Sequence, residues 1–348
     1  MIKAISLFSG AGGLDLGCRQ AKINPVFCLD YDHDSIETLK LNKHFNNADL
    51  YNSDIINFDK NLIQKSLNKN KSKEFIFIGG PPCQPFSKNG YWITNKKRKV
   101  FKDPRNMIQE YLDLIKEFNP AGFLLENVES ILHPTNKTAV DYIIKKSKFY
   151  GYNLKIIRAN AQDYGVPQKR NRIFFIGAKR KFQLDSPVTT HYDPSNKNLS
   201  LFDNKKQPYT SVKDFISKFN KKRYFEPYEV AANGTYYNEL KKIPPGKNYL
   251  VLCNGSKGRF KKGTRFWNFL LKLKPSLPSW TIPAQPGPWV GPFHWENRRL
   301  RVPEISAIQS FPDGYKFFGS RRSIQKQIGN AVPPLMAKAI INFLKINL

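Results

Sequence analysis

The stretch Phe75-Ile76-Phe77-Ile78-Gly79-Gly80-Pro81-Pro82-Cys83-Gln84 constrains the chain more than any other. Four apolar residues make a short strand, and the glycine–proline turn that ends it presents a cysteine followed by polar rather than apolar residues. Open α/β sheets bind ligands outside the carboxyl ends of their strands, so the turn places Cys83 where chemistry takes place. Free cysteine is also among the most buried residue types, and the thiol needs companions before it reads as a nucleophile.

Companions stand at the ends of other strands. Residues 2–8 read as a buried strand, and Ser9-Gly10-Ala11-Gly12-Gly13-Leu14-Asp15-Leu16-Gly17 follows as a glycine-rich turn that opens a helix. Such a turn suits a nucleotide-type cofactor, since glycine lets the backbone approach a ligand and the helix start offers free N–H groups. The glycines at 13 and 17, with none at 15, depart from the dinucleotide fingerprint. A second strand over residues 26–29 ends in Asp30-Tyr31-Asp32. Asp30 is placed to hold a ribose diol and Tyr31 to lie against an adenine ring, with a solvated acidic turn as the alternative. Asn52-Ser53-Asp54-Ile55 follows a third strand, and the lysine-rich helix around residues 60–73 reads as a solvated face.

Beyond the cysteine turn, residues 88–102 form a basic stretch with Gly90, Tyr91, Trp92 and Lys96-Lys97-Arg98-Lys99, either a lid over phosphates or a solvated linker. Ile108, Tyr111, Leu112, Ile115 and Phe118 have helical spacing up to Pro120. A strand over residues 122–125 carries Glu126-Asn127-Val128 at its tip, so a cysteine and a carboxylate end two strands of one parallel sheet. A helix over 137–148 and a strand over 154–159 come next. Gln168, Arg170 and Arg172 then alternate along an extended segment ahead of a strand over 173–177, and read as a substrate anchor on one face. From about residue 179 to 294 prolines, lysines and aromatics replace the α/β alternation, which marks a separate, irregular domain. Within it Lys257, Arg259, Lys261, Lys262 and Arg265 are the best candidates for phosphate or base contacts. A helix opens at Arg298 and runs to Gln309; Gln327-Ile328-Gly329-Asn330 reads as a turn before a C-terminal helix.

Lysine and arginine outnumber aspartate and glutamate by 57 to 27, a formal charge of +30. That balance suits a polyanion such as nucleic acid, although drift toward lysine in an AT-rich genome has the same effect. Four cysteines without a Cys-x-x-Cys pair and five histidines without a spaced pair indicate neither zinc nor a disulfide framework, and no metal is expected. No secretory leader and no apolar run of about 18 residues is evident, so a cytoplasmic protein away from membranes is expected.

Five blocks in order, Phe8-Ser9-Gly10-Ala11-Gly12-Gly13, Gly79-Gly80-Pro81-Pro82-Cys83-Gln84, Glu126-Asn127-Val128, Gln168-Lys169-Arg170-Asn171-Arg172 and Gly329-Asn330-Ala331-Val332-Pro333, resemble the DNA (cytosine-5) methyltransferase family of bacterial restriction-modification systems. The resemblance spans nearly all of the chain outside residues 180–290. It implies an α/β, S-adenosylmethionine-dependent methyltransferase (Rossmann-like) sheet with an inserted smaller, irregular target-recognition domain. The catalytic domain would comprise residues 1–179 and 298–348, and the recognition domain 180–297. By resemblance Cys83 attacks cytosine C6, Glu126 contacts N3 and the exocyclic amine, and Arg172 binds the base O2, with Gln168 and Arg170 completing the catalytic set. S-adenosylmethionine would lie among Phe8, Gly10, Gly12, Gly13, Leu14, Asp30, Tyr31, Asp54, Ile55, Pro82, Ile108, Asn330 and Ala331, leaving S-adenosylhomocysteine as product. Gln84, Ser87, Lys88, Lys257, Arg259 and Arg265 would contact double-stranded DNA, from which the target base must flip. A monomer is expected, with any cognate restriction endonuclease a separate protein. The chain departs from the family pattern at Arg301, where threonine is common, at Pro303 for arginine, and at Ser310 and Asn106 for glycine. Rival readings are a tRNA cytosine-5 methyltransferase, whose Cys-Phe-Thr run is missing, an inactive nucleic-acid binding module, and a nicotinamide dehydrogenase.

Overall fold

Short strands apolar on both faces need helices on both sides, and the chain supplies them in alternation. In a computed structural model, which describes residues 2–82, 107–195, 206–229, 234–253 and 260–348, β1 (Lys3–Leu7) leads to α1 (Gly13–Gln20), β2 (Asn24–Asp30) to α2 (His33–Lys40), and β3 (Asp49–Asn52) to α3 (Asn61–Lys69). Then come β4 (Phe75–Gly79), α4 (Ile108–Phe118), β5 (Gly122–Val128), α5 (Lys137–Phe149), β6 (Asn153–Asn160), β7 (Gln168–Lys169) and β8 (Asn171–Ala178). Seven of these strands form one sheet in the order β3-β2-β1-β4-β5-β8-β6. Pairings from β3 to β5 are parallel, whereas β8 runs antiparallel to both β5 and β6. The order reverses between β1 and β4, which opens a crevice at their carboxyl ends.

One face packs Phe77, Phe123, Leu125 and Phe175 against Tyr111, Leu112 and Ile115 of α4 and Ile143 of α5. The other packs Ile76, Ile78, Leu124 and Phe174 against Met336, Ile340 and Leu344 of the C-terminal helix. Local signals set the ends of the helices. Asp32 caps α2 by accepting from the Ser35 N–H at 3.1 Å, and α4 stops at Asn119, whose φ of 45° is left-handed, just before Pro120.

Residues 180–297 hold little regular structure among the described residues; α6 (Val212–Ile216), α7 (Tyr237–Lys242) and a short strand Ser279–Trp280 are among its elements. Leu240, Ile243, Tyr249, Phe260, Phe269, Leu270 and Phe293 form a core of their own. Val212, Ile216, Leu273 and Ile282, however, share a cluster with Leu16, Ile36, Leu300, Ile305 and Ile328, so this region is knitted to the helices beside the sheet. Three helices follow, α8 (Val302–Ile308), α9 (Arg321–Asn330) and α10 (Pro334–Ile346). Among the described residues no helix is long and apolar enough to cross a membrane, and no group of three or more His, Cys, Asp or Glu stands together as a metal site.

One expectation needs correction here. Gly329 and Asn330 form the last turn of α9 rather than a turn ahead of a helix. Glycine is required at 329 because α9 lies directly on the backbone of Pro283 and Ala284, where a Cβ would collide. The departures at 301, 303 and 310 also acquire reasons. The Arg301 guanidinium is buried against the Glu229 carboxylate and donates to the Phe219 carbonyl at 2.6 Å, tying the inserted region to the start of α8. Pro303 sits in the first turn of α8, where its missing N–H costs nothing. Ser310 adopts φ 62°, the conformation that favours glycine, and its Oγ accepts from the Leu335 N–H at 3.2 Å.

Asp15 in α1 is fully buried and its Oδ2 has no hydrogen-bond partner among the described residues. Burial pushes its carboxyl up to about 6 from 3.8. The stability that goes with the protonated form is complete below pH 3.8 and is lost as pH rises through about 6. Asp15→Asn should therefore stabilise the protein by about 3 kcal/mol at pH 8 and by only about 1 to 2 kcal/mol at pH 5, read by urea unfolding at the two pH values. An equal gain at both would mean that Asp15 does not titrate this way.

Candidate active site

The crevice at the strand ends is a cleft of about 720 Å³. Phe8, Ser9 and Gly10 beyond β1, Asp30 to Asp32 at the end of β2, Ser53 to Ile55 beyond β3 and Gly80 to Pro82 beyond β4 line it, with Glu126 to Val128 from β5 and Arg172 from β8. Asn330, Ala331 and Val332 close the C-terminal side.

The glycine turn is held from below. Gly10 has φ 53° with open space around it, and its N–H donates to Asp30 Oδ2 at 2.7 Å, while Asp30 Oδ1 accepts from the Asp32 N–H at 2.8 Å. Burial raises the Asp30 carboxyl above its ordinary range, against the pull of these two N–H groups. Gly13 touches the Val332 carbonyl and Ala331, so a side chain there would push the two walls apart. Tyr31 leaves 77% of its surface exposed at the mouth.

Glu126 and Arg172 meet because β8 is antiparallel to β5. Val128 pairs with Arg172 and Glu126 with Phe174, so the amino end of β8 lies beside the carboxyl end of β5 with both side chains on one face. Arg172 Nε stands 2.7 Å from Glu126 Oε1, and both side chains are largely buried. Burial raises the Glu126 carboxyl, opposed by Arg172 and then Arg170. This is a carboxyl held above its ordinary range beside a guanidinium, directly across from Gly80. Cys83, Gln84, Ser87 and Lys88, the stretch 88–102, Asn106, Lys257 and Arg259 lie outside the described residues. Arg265 is exposed, with its guanidinium 5.5 Å from the Phe269 ring.

Three expectations change. Gln168 and Arg170 do not reach the cleft with Arg172. Gln168 is fully buried, donates to Gln309 and accepts from the Ile282 N–H at 3.0 Å. Arg170, also buried, donates to the carbonyls of Gly329 at 2.7 Å and Ala331 at 3.1 Å. Their face of the extended segment is covered by residues from beyond 280, so only Arg172 stays open to a substrate. Gly12 does not line the cleft either; a Cβ there would strike Phe45 and Leu39, so the glycine serves the packing of α1 on α2. Ile108, the first residue of α4, turns into the core, and Met107 just before it lines the cleft in its place.

The structure adds wall residues the sequence did not reveal. Lys326 in α9 donates to Asp32 Oδ1 at 2.8 Å across the mouth, a contact between positions far apart in sequence that no spacing could signal. Asn127 is 1% exposed and its Nδ2 has no partner among the described residues, although the residue belongs to the Glu-Asn-Val block and was open to notice.

An open sheet ordered in this way, with its cleft at the switch point and an antiparallel strand delivering Arg172 to Glu126, has the fold of the S-adenosylmethionine-dependent methyltransferases. The chain belongs to the C-5 cytosine-specific DNA methylase family, whose model matches residues 2–345. It is a DNA (cytosine-5)-methyltransferase. The Type II methyltransferase M.SacI of Streptomyces achromogenes is 36% identical over 99% of this chain and 92% of its own length. M1.HphI of Haemophilus parahaemolyticus is 31% identical over 99% and 87%. Among solved structures, a DNA modification methyltransferase encoded within an E. coli prophage superposes with a TM-score of 0.67 at 23% identity, covering 100% of this chain and 99% of its own. The S. pombe Dnmt2 methyltransferase reaches 0.66 at 17% identity, covering both chains fully.

Arg170→Ala should lower stability by about 3 kcal/mol in urea unfolding, because it strips the Gly329 and Ala331 carbonyls of their donor in a dry site. Arg172→Ala should cost about 1 kcal/mol, since Glu126 can take up a proton when its partner leaves. Equal losses would contradict the division between a buried brace and a cleft residue.

Proposed function

We propose that the cleft binds S-adenosylmethionine and that a flipped cytosine of duplex DNA enters beside Glu126 and Arg172. The supporting observation is the Glu126–Arg172 pair at 2.7 Å on the wall that Gly80 to Pro82 also line, one residue before Cys83. The residues present suit such a cofactor. The cleft is of ligand size, Asp30 offers carboxylate oxygens for a ribose diol, the exposed Tyr31 ring and Ile55 offer faces for an adenine, and Asp54 can accept from an adenine amine. Asn330 and Ala331, with Phe8, Gly10, Gly13, Leu14 and Pro82, would complete the enclosure. When bound, S-adenosylmethionine supplies an electrophilic methyl group.

The chain's own residues do the rest. Cys83 as thiolate adds to C6, and Glu126 holds a proton at N3, so the ring electrons move to C5 instead of building charge on the base. Arg172 donates to the base O2 and steadies the adduct. After C5 has taken the methyl group, its proton is lost to a base, the C5–C6 double bond re-forms and Cys83 leaves. Residues 1–179 with 298–348 act as the catalytic domain and residues 180–297 as the recognition domain, whose Lys257, Arg259 and Arg265 contact DNA together with Gln84, Ser87 and Lys88. The protein works in the cytoplasm as a monomer and protects DNA from a separate cognate endonuclease.

Cys83→Ala should abolish methyl transfer to plasmid DNA, by at least about 1000-fold, while binding of S-adenosylmethionine by calorimetry persists. Turnover retained in that variant would end the covalent mechanism. Bisulfite sequencing of DNA from cells expressing the protein alone should show 5-methylcytosine at one recurring sequence; its absence would refute the reading.

A further inference from the structure

The inserted region carries an unusual surface. Phe266 leaves 80% of its area exposed, Trp267 47% and Trp280 36%. The Trp267 and Trp280 rings meet edge to face at 4.3 Å, and Phe266 adjoins Trp267 in the chain, so these are one patch rather than scattered side chains. The patch is built rather than loose. Tyr249, itself buried, donates its hydroxyl to the Arg265 carbonyl at 2.9 Å, and Asn248 Nδ2 donates to the Trp267 carbonyl at 2.6 Å. Residues 265–267 are therefore held from behind while their rings point away from the core.

Its position and charge identify what covers it. Trp280 lies in the short strand Ser279–Trp280, which pairs with β7 so that Trp280 faces Lys169, three residues before Arg172. The Lys169 ammonium stands 5.3 Å from the Trp280 ring, and Lys261, Lys262 and Arg265 are exposed nearby in sequence. No aspartate or glutamate occurs between Glu239 and Glu296, whereas ten lysines and arginines do. Planar rings set beside a segment of net positive charge match nucleobases and phosphates, and that charge opposes a basic surface such as a second copy of this chain.

We infer that Phe266 and Trp267, backed by Trp280, form a stacking platform for nucleobases unstacked from the duplex beside the cytosine that the enzyme methylates. The platform recognises unstacked base faces, while Lys169 and Arg265 hold the adjoining phosphates. The inference rests on the reading of the basic region as the DNA-binding part of the enzyme, and goes beyond it by naming non-ionic contacts.

The test compares full-length wild type with Phe266→Ala/Trp267→Ala, Trp267→Phe and Lys169→Ala/Arg265→Ala, measuring affinity for unmethylated plasmid DNA at several salt concentrations. S-adenosylmethionine binding and thermal unfolding confirm folding; the backbone carbonyls that Tyr249 and Asn248 hold are kept in every variant. The double aromatic variant should bind DNA roughly 10- to 100-fold more weakly with an unchanged salt slope, because stacking releases no counterions. Trp267→Phe should recover most of the loss, and the double cation variant should instead flatten the slope by about two. Unchanged DNA affinity in the aromatic variant would overturn the platform. So would a wild type that self-associates in sedimentation through these rings, with the variant monomeric and equal in DNA binding. Wild type that binds plasmid but transfers no methyl group would refute the catalytic proposal and leave the affinity comparison to decide the platform.

Discussion

The antiparallel pairing of β8 with β5 is the constraint on which the active-site arrangement depends. In an all-parallel sheet the carboxyl edge would collect only strand ends, each followed by a turn that a ligand must share. One reversed strand brings an amino end to the same edge, and with it Arg172, already fixed by the ladder on which Glu126 sits. The acid and the guanidinium are thus positioned by backbone hydrogen bonds within the sheet rather than by a loop. A carboxyl so placed experiences burial and a neighbouring charge at once, which keeps its proton affinity above the ordinary range without isolating a naked charge in the interior.

The segment just ahead of β8 performs a second task that depends on the first. Arg170 and Gln168 are turned away from the cleft, and their polar atoms engage residues 282, 309, 329 and 331. The residue that enters the cleft beside Glu126 and the residue that braces the Asn330–Val332 wall are therefore two positions apart, Arg172 within β8 and Arg170 just ahead of it. Displacement of the Asn330–Val332 wall would be felt at Arg172 through a short path of hydrogen bonds rather than through loose packing. The Arg301–Glu229 pair plays a similar part on the far side, where it joins the inserted region to α8.

Much of this was legible from the chain alone. The strands announce themselves because both their faces are buried, and the glycine turn, the Pro81-Pro82 turn and Glu126 stand at strand ends where ligands belong. What was not legible has physical causes. Alternation shows that Gln168, Arg170 and Arg172 share a face, but not that residues more than a hundred positions later cover two of the three. Gly-Asn ends helices as readily as it forms turns, so Gly329-Asn330 was read from the wrong side. Glycine in such a loop can leave space open at the cleft, as Gly10 does, or serve the packing around it, as Gly12 and Gly13 do. A helical pattern gives the buried face of α4 without saying which residue of its first turn looks into the cleft, hence Met107 for Ile108. The inserted region follows neither a period of two nor one of 3.6, and its core emerges only when distant aromatics meet.

The close approach of α1 to α10 bears on how the chain is made. Gly17 lies so near Ala337 that no side chain fits between the helices, and α10 covers the face of the sheet that Ile76, Ile78 and Leu124 present. Because α10 follows residues 180–297 in sequence, the ribosome releases β1 to β8 with one apolar face covered only in part, by α1, and those residues emerge before the rest of its cover exists. During this interval the half-finished sheet is exposed to aggregation and to chaperones. Folding of the enzyme is thereby linked to completion of the chain, and a nascent molecule lacking α9 and α10 has neither its Asn330–Val332 wall nor a sealed core.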